Sequence, residues 1–166
     1  DTITPSDLYS DLKGPHVEYS LPVTPLLSDA LIGSNLYYVD VSYNEQMDSG
    51  TIPLIIHESN DDLSGSIQYN FIESHYLDDF NYRAFFNIMD ENIEVDSIDI
   101  GVIHGRDFSG NVQAEYSEDF FVSLDTKNPS IINFSTSTNS LAIGDQLDIS
   151  ISFNEEMATH QIVAFP

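Results

Sequence analysis

The chain has no cysteine and no tryptophan, and among its 166 residues only four basic side chains stand against 28 acidic ones, a formal net charge of −24. Without cysteine there can be no disulfide staples and no thiolate metal site, which is compatible with the cytosol or with an exported protein that does without bridges. Lys13, Arg83, Arg106 and Lys127 are too few and too scattered to build the basic groove that phosphates require, so nucleic acid and anionic membrane surfaces are excluded as partners. The longest apolar runs are about six residues, far short of the roughly 20 a membrane-spanning helix needs, and no charged-then-apolar leader opens the sequence. The chain reads as soluble, without membrane insertion, and as an internal piece of something longer.

With 41% hydrophobic and 11% aromatic residues, the chain can bury an ordinary core despite its acidity. A charge of −24 on so small a body opposes compaction unless salt or bound cations screen it, so cations are implied partners. Strict apolar and polar alternation marks residues 37–44, with Tyr37, Val39, Val41 and Tyr43 on one side and Tyr38, Asp40 and Ser42 on the other. The same period recurs at Val17–Leu21, Ile67–Phe71, Tyr82–Ile88 and Ile98–Val102, and short strands fit Ile52–His57 and Phe120–Leu124. Turn clusters such as Asp48-Ser-Gly50, Asn60 to Gly65 and Ser109-Gly-Asn111 separate them, and no stretch carries a helical stripe. Seven strands at this spacing predict an all-β fold, an immunoglobulin-like antiparallel β-sandwich.

An internal repeat organises the chain. Residues 147–157, Leu-Asp-Ile-Ser-Ile-Ser-Phe-Asn-Glu-Glu-Met, restate residues 37–47, Tyr-Tyr-Val-Asp-Val-Ser-Tyr-Asn-Glu-Gln-Met, with Ile143-Gly144 answering Ile32-Gly33. Asp125-Thr-x-x-Pro129 is matched with Asp1-Thr-x-x-Pro5. The expected division is one complete module over residues 1–124 and the opening strands of a second over 125–166. A three-strand piece of that size cannot close a core alone, so the native chain is expected to continue past Pro166.

These motifs resemble the tandem bacterial immunoglobulin-like (Big-type) repeats of large secreted and surface adhesin proteins. The resemblance rests on the aromatic-Asn-Glu-x-Met turn (Tyr43–Met47, Phe153–Met157), on Asp107-Phe-Ser-Gly-Asn111 and on Asp125-Thr-Lys-Asn-Pro129, and spans essentially the whole chain. The second copy departs in carrying Ala158 where the first has Asp48. The resemblance implies an extracellular, secreted or surface-anchored protein, often rigidified by calcium, that serves adhesion or reach.

In such a sandwich, loops alternate between ends. The Asp90-Glu91-Asn92 loop and the exit at Asp125 share one end, and head-to-tail stacking brings them, with Asn128, against the turn holding Glu155 of the next module. That is an oxygen-rich joint, and calcium takes six to eight such oxygens. The equivalent N-terminal set is Asp1, Glu45, Asp107 and Asn111. The plainer reading of all ten residues is solvated acidic loops, a simple Asn-Pro linker, and a turn in which Gly110 or Asn111 is left-handed.

The five histidines, at 16, 57, 75, 104 and 160, lack the spacing of a helical zinc site, and no nucleophile elbow is present. The chain reads as non-enzymatic. Tyr37, Tyr43, Tyr69, Phe71, Phe86, Phe120 and Phe134 fall on inward phases, whereas Tyr38, Tyr76, Phe85, Phe108 and Phe121 are off-phase and could meet a cell-surface glycan or protein. The leading expectation is a structural or adhesive module that extends and stiffens a surface fibre, with calcium at its joints to neighbouring modules. A ligand-binding module, a surface-layer subunit and a sandwich appended to a secreted hydrolase are the alternatives.

Overall fold

The computed structural model describes residues 11–33 and 37–157, and for residues 117–120 the backbone only. The chain divides into two compact units between Lys127 and Asn128. In the first, the strands are β1 (Val17–Pro22), β2 (Leu26–Ser28), β3 (Tyr37–Tyr43), β4 (Leu54–Glu58), β5 (Ile67–Tyr76), β6 (Asn81–Ile88), β7 (Glu94–Ile103) and β8 (Tyr116–Asp125). In the second they are β9 (Ile131–Thr136) and β10 (Ile149–Phe153). Among the described residues the only helical element is one 3-10 turn, Asp29–Leu31.

The first unit is a β-sandwich. One sheet has the order β1-β3-β6-β5 and the other β2-β8-β7-β4, every pairing antiparallel except β2 with β8. Alternation places one side of each strand inward: Tyr37, Val39, Val41, Tyr82, Ala84, Phe86 and Ile88 from the first sheet meet Leu27, Ile55, Val95, Ile98, Ile100, Val102, Val122 and Leu124 from the second in one core. On the outer side of the first sheet, the Arg83 guanidinium grips the Asp40 carboxylate through two 2.7 Å hydrogen bonds and lies 3.9 Å over the Tyr38 ring.

All seven sequence-expected strands are present, and each departure has a local cause. β2 is only three residues long, with a single buried side chain, Leu27, and carries no readable period. β7 holds a bulge between Val95 and Ile98, so two residues three apart both face the core. β5 runs on to Tyr76 through a larger irregularity between Asn70 and His75. That irregularity turns Phe71 outward to 57% exposure, correcting its inward assignment, and Ser74 repairs the ladder by accepting the Phe85 N–H on its hydroxyl at 2.8 Å. Phe134 keeps its inward phase, pairing with Ile151 as the buried Ser20 pairs with Val41, and in the two-stranded second unit it stands 59% exposed. The Phe120 side chain lies outside the described residues.

The second unit repeats the opening of the first in detail. Val17 pairs with Tyr43 and Tyr19 with Ser42, skipping Glu18; Ile131 pairs with Phe153 and Asn133 with Ser152, skipping Ile132. The Asn44 side chain accepts the His16 N–H at 2.7 Å while its own N–H donates to the His16 carbonyl at 3.2 Å. Asn154 does the same with Ser130, at 2.6 and 3.0 Å. β9 and β10 therefore correspond to β1 and β3, and residues 11–15, not 1–5, take the place of 125–129. Residues 1–5 lie outside the described residues. The corrected match reads Asp11-Leu-Lys-Gly-Pro15 against Asp125-Thr-Lys-Asn-Pro129. The Lys13 N–H donates to Asp11 Oδ1 at 3.1 Å and the Lys127 N–H to Asp125 Oδ1 at 3.2 Å.

Asn44→Ala is expected to lower the unfolding free energy by about 1 kcal/mol, since one hydrogen bond is lost and the exposed His16 N–H can turn to water. Urea titration followed by circular dichroism checks the value.

Candidate metal centre

At one end of the first sandwich, the turn after β3 and the connection from β7 to β8 are stitched together. Met47 forms an antiparallel bridge with Asp107, and the Asp48 N–H donates to the Arg106 carbonyl at 2.8 Å. The connection itself is a tight loop: the Gly110 N–H donates to the Asp107 carbonyl at 3.1 Å, and Gly110 has φ +85°, a left-handed conformation that favours glycine. The loop thereby folds Asn111 back onto Asp107.

Asp107 is 2% exposed. Its Oδ1 accepts the Asn111 N–H at 2.8 Å and its Oδ2 accepts the Asn111 side-chain amide at 2.7 Å. Burial works to raise its pKa, but the bonds from the Asn111 side chain and from the Asn111, Ser109 and Gly110 backbone outweigh it and hold the carboxyl below its ordinary value. The same Asn111 amide group also reaches the carbonyls of Asp11 and Lys13, at 3.1 and 3.3 Å, and so ties the segment before β1 to this end. A side chain at Gly14 would run into the Val112 carbonyl, so glycine permits that close approach.

As a result Asp11, Glu45 and Asp107 each present a carboxylate oxygen within 4.8 Å of the others, the first exposed, the second half-buried and the third buried. The electrostatic consequence falls on Glu45, whose pKa is raised first by desolvation and then by the negative charges of Asp11 and Asp107, with a bond from Asn44 working the other way. None of the ion pairs among the described residues involves the three. Three converging carboxylates are part of the oxygen donor set a hard divalent cation takes, and such a cation would neutralise the repulsion that helps raise Glu45.

Of the N-terminal set expected from sequence, Glu45, Asp107 and Asn111 meet here, with Asn111 as the positioning residue. Asp1 lies outside the described residues. The acid that completes the group is Asp11, missed because the Asp-Thr-x-x-Pro match drew attention to residue 1. The signal that finds it is Asp-x-Lys-x-Pro, present at 11–15 and again at 125–129.

At the opposite end of the first unit, Asp90 Oδ1 accepts the Asn92 N–H at 3.0 Å, and Asn92 has φ +55°. The exit is tied down where the Thr126 N–H donates to the Ile93 carbonyl at 2.9 Å. Glu91 lies over Gly65, where a Cβ would stand 3.3 Å from the carboxylate carbon. Asp125 accepts the Lys127 N–H, and the Lys127 ammonium sits 3.4 Å from Glu94. Asp90, Glu91 and Asp125 do not gather into a three-carboxylate group here. Asn128 and Glu155 belong to the second unit, where Glu155 follows the clamping Asn154 as Glu45 follows Asn44.

The off-phase aromatics divide. Tyr38 and Phe85 pack on each other at 5.6 Å, and Tyr76 packs edge-on to Tyr82 at 4.9 Å, whereas Phe108 and Phe121 are exposed. Among the described residues no helix is long and apolar enough to cross a membrane. Searches with the chain return no matching family model, no matching curated protein and no matching solved structure.

Proposed function

We propose that this chain is a non-catalytic stretch of an extracellular array of immunoglobulin-like modules, of the bacterial repeat kind, which extends and stiffens a fibre or adhesin through calcium at its module ends. The observation that carries the proposal is the repeated unit: a linker Asp-x-Lys-x-Pro, a bulged strand and an Asn-Glu turn, occurring at the head of both units. In the first unit this head holds the Asp11, Glu45 and Asp107 cluster. In the second, Asp125 and Glu155 stand at the matching positions. The immunoglobulin-like reading is supported by strand order, because β1-β3-β6-β5 against β4-β7-β8, with a short β2 crossing to β8, follows the four-and-three division of constant-type immunoglobulin sandwiches.

A head carrying three carboxylates repels itself and the acidic tail of a preceding module unless a cation lies between them. Calcium is therefore expected to raise the melting temperature and the length measured by small-angle scattering at constant moderate ionic strength. With the ion at a hundred times its Kd the stabilisation is about 2.7 kcal/mol, roughly 5–10 °C for a domain of this size. Asp107→Asn is expected to abolish the response. A wild-type chain unmoved in both quantities, or a variant that responds equally, refutes the ion-stiffened reading.

A further inference from the structure

β4 and β5 are the free edges of their two sheets on the same side of the sandwich, and between them lies an open groove of about 610 Å³. Its volume is within the range of small-molecule sites. Three rings contribute to the floor, where His57 and Tyr69 both meet Phe86 edge-on, at 4.6 and 5.1 Å between centroids, and the aliphatic side chains of Ile55, Ile56, Leu63 and Ile67 supply the rest of the apolar lining. The loop that joins the two strands completes the lining with Asp61 and Asp62, next to Glu58 at the end of β4, and all three acids are exposed.

The charge of this lining is one-sided. His57 Nε2 is engaged with the Tyr37 hydroxyl at 2.8 Å, and burial lowers the imidazole to about 3, so it is neutral near pH 7. No ion pair among the described residues involves Glu58, Asp61 or Asp62. An anion is repelled by such a rim. A bare metal ion needs several oxygens converging on one point, and Glu58, Asp61 and Asp62 do not form such a three-carboxylate group. A cation with an apolar coat satisfies both parts, since the aliphatic and ring surface covers its alkyl groups and the carboxylates neutralise its charge.

We propose that the cleft between β4 and β5 binds an alkylammonium group, such as a lysine side chain or a choline-type headgroup carries. The proposal is independent of calcium at the module head.

The test uses the full 166-residue chain in calcium-free buffer at fixed ionic strength, with amide chemical shifts as the readout. Choline is titrated beside its uncharged isostere 3,3-dimethylbutan-1-ol, and phosphocholine beside Nα-acetyl-lysine amide. Saturable shifts confined to residues around β4, β5 and their loop are expected with choline, with binding by the isostere at least tenfold weaker. The Glu58→Gln/Asp61→Asn variant changes exposed side chains only and is expected to bind choline at least fivefold more weakly with the rest of its spectrum unchanged. Tighter binding of phosphocholine identifies a lipid headgroup as the source, and tighter binding of the lysine amide a protein side chain. Equal shifts with the isostere, shifts spread over the acidic surface, or no saturation overturn the proposal.

Discussion

Gln113→Leu is expected to lower the unfolding free energy by about 4 kcal/mol, seen as a large fall in the urea midpoint of the first unit. Gln113 is buried at 6% exposure, directly behind the acidic head. Its side-chain oxygen accepts both the Tyr43 hydroxyl and the Gly105 N–H, each at 3.0 Å, and its amide donates to the Val102 and Ala114 carbonyls at 2.9 and 3.3 Å. Leucine has a similar size but leaves the Tyr43 hydroxyl and the Gly105 N–H without a partner in a dry place, at about 1–3 kcal/mol each. Residue 105 is glycine for the same reason, because a Cβ there would collide with the Gln113 oxygen and lie 2.9 Å from Met47 Cε. A loss below about 1 kcal/mol would show that water reaches these groups and that the network contributes little.

The second large effect is expected in the pH dependence of the acidic head. Glu45 has its pKa raised above the ordinary value of 4.5, so the folded chain holds a proton that the unfolded chain releases. Its contribution is therefore full below the unfolded pKa and is lost as pH climbs through the folded one. Asp107 is lowered below 3.8 and acts in the opposite sense: its contribution is present above the unfolded pKa and is lost as pH falls through the folded one. Without divalent ions, acidifying from neutral toward the upper edge of the glutamate range is expected to raise the melting temperature. Glu45→Gln removes part of that rise and stabilises the neutral, ion-free protein by a few degrees. Calcium held at this cluster, as proposed, would compete with the Glu45 proton, so its affinity is expected to grow with pH across the same window. Melting curves of wild type and Glu45→Gln, with and without calcium, check all three. Parallel curves for the two proteins would mean that the shift arises from overall charge rather than from this cluster.

The sequence exposed what is periodic and hid what is irregular. Strands β3, β6 and the second half of β7 alternate without interruption and could be placed to within a residue or two. Phe71 follows the expected period of β5 into a stretch where the backbone departs from it, between Asn70 and His75. At the acidic head, Glu45, Asp107 and Asn111 were legible because loop alternation in a sandwich brings their turns to one end. Asp11 was not. Its place depends on Asn111 reaching back to two carbonyls of the preceding segment, an attachment made by geometry rather than by pattern. His57 was legible as a strand residue, but its neutral place among aromatic rings follows only from the packing of β4 against β6.

The parallel pair formed by β2 and β8 decides how the first unit answers to tension. Leu26, Leu27 and Ser28 lie beside Ser123, Leu124 and Asp125, near the opposite termini of the sandwich and running in the same direction. A pull on the two ends of the unit slides these strands along each other, so the rungs between them are strained together rather than opened one after another. Behind β1, which the same pull would reach first, the three rungs would act as a shear clasp.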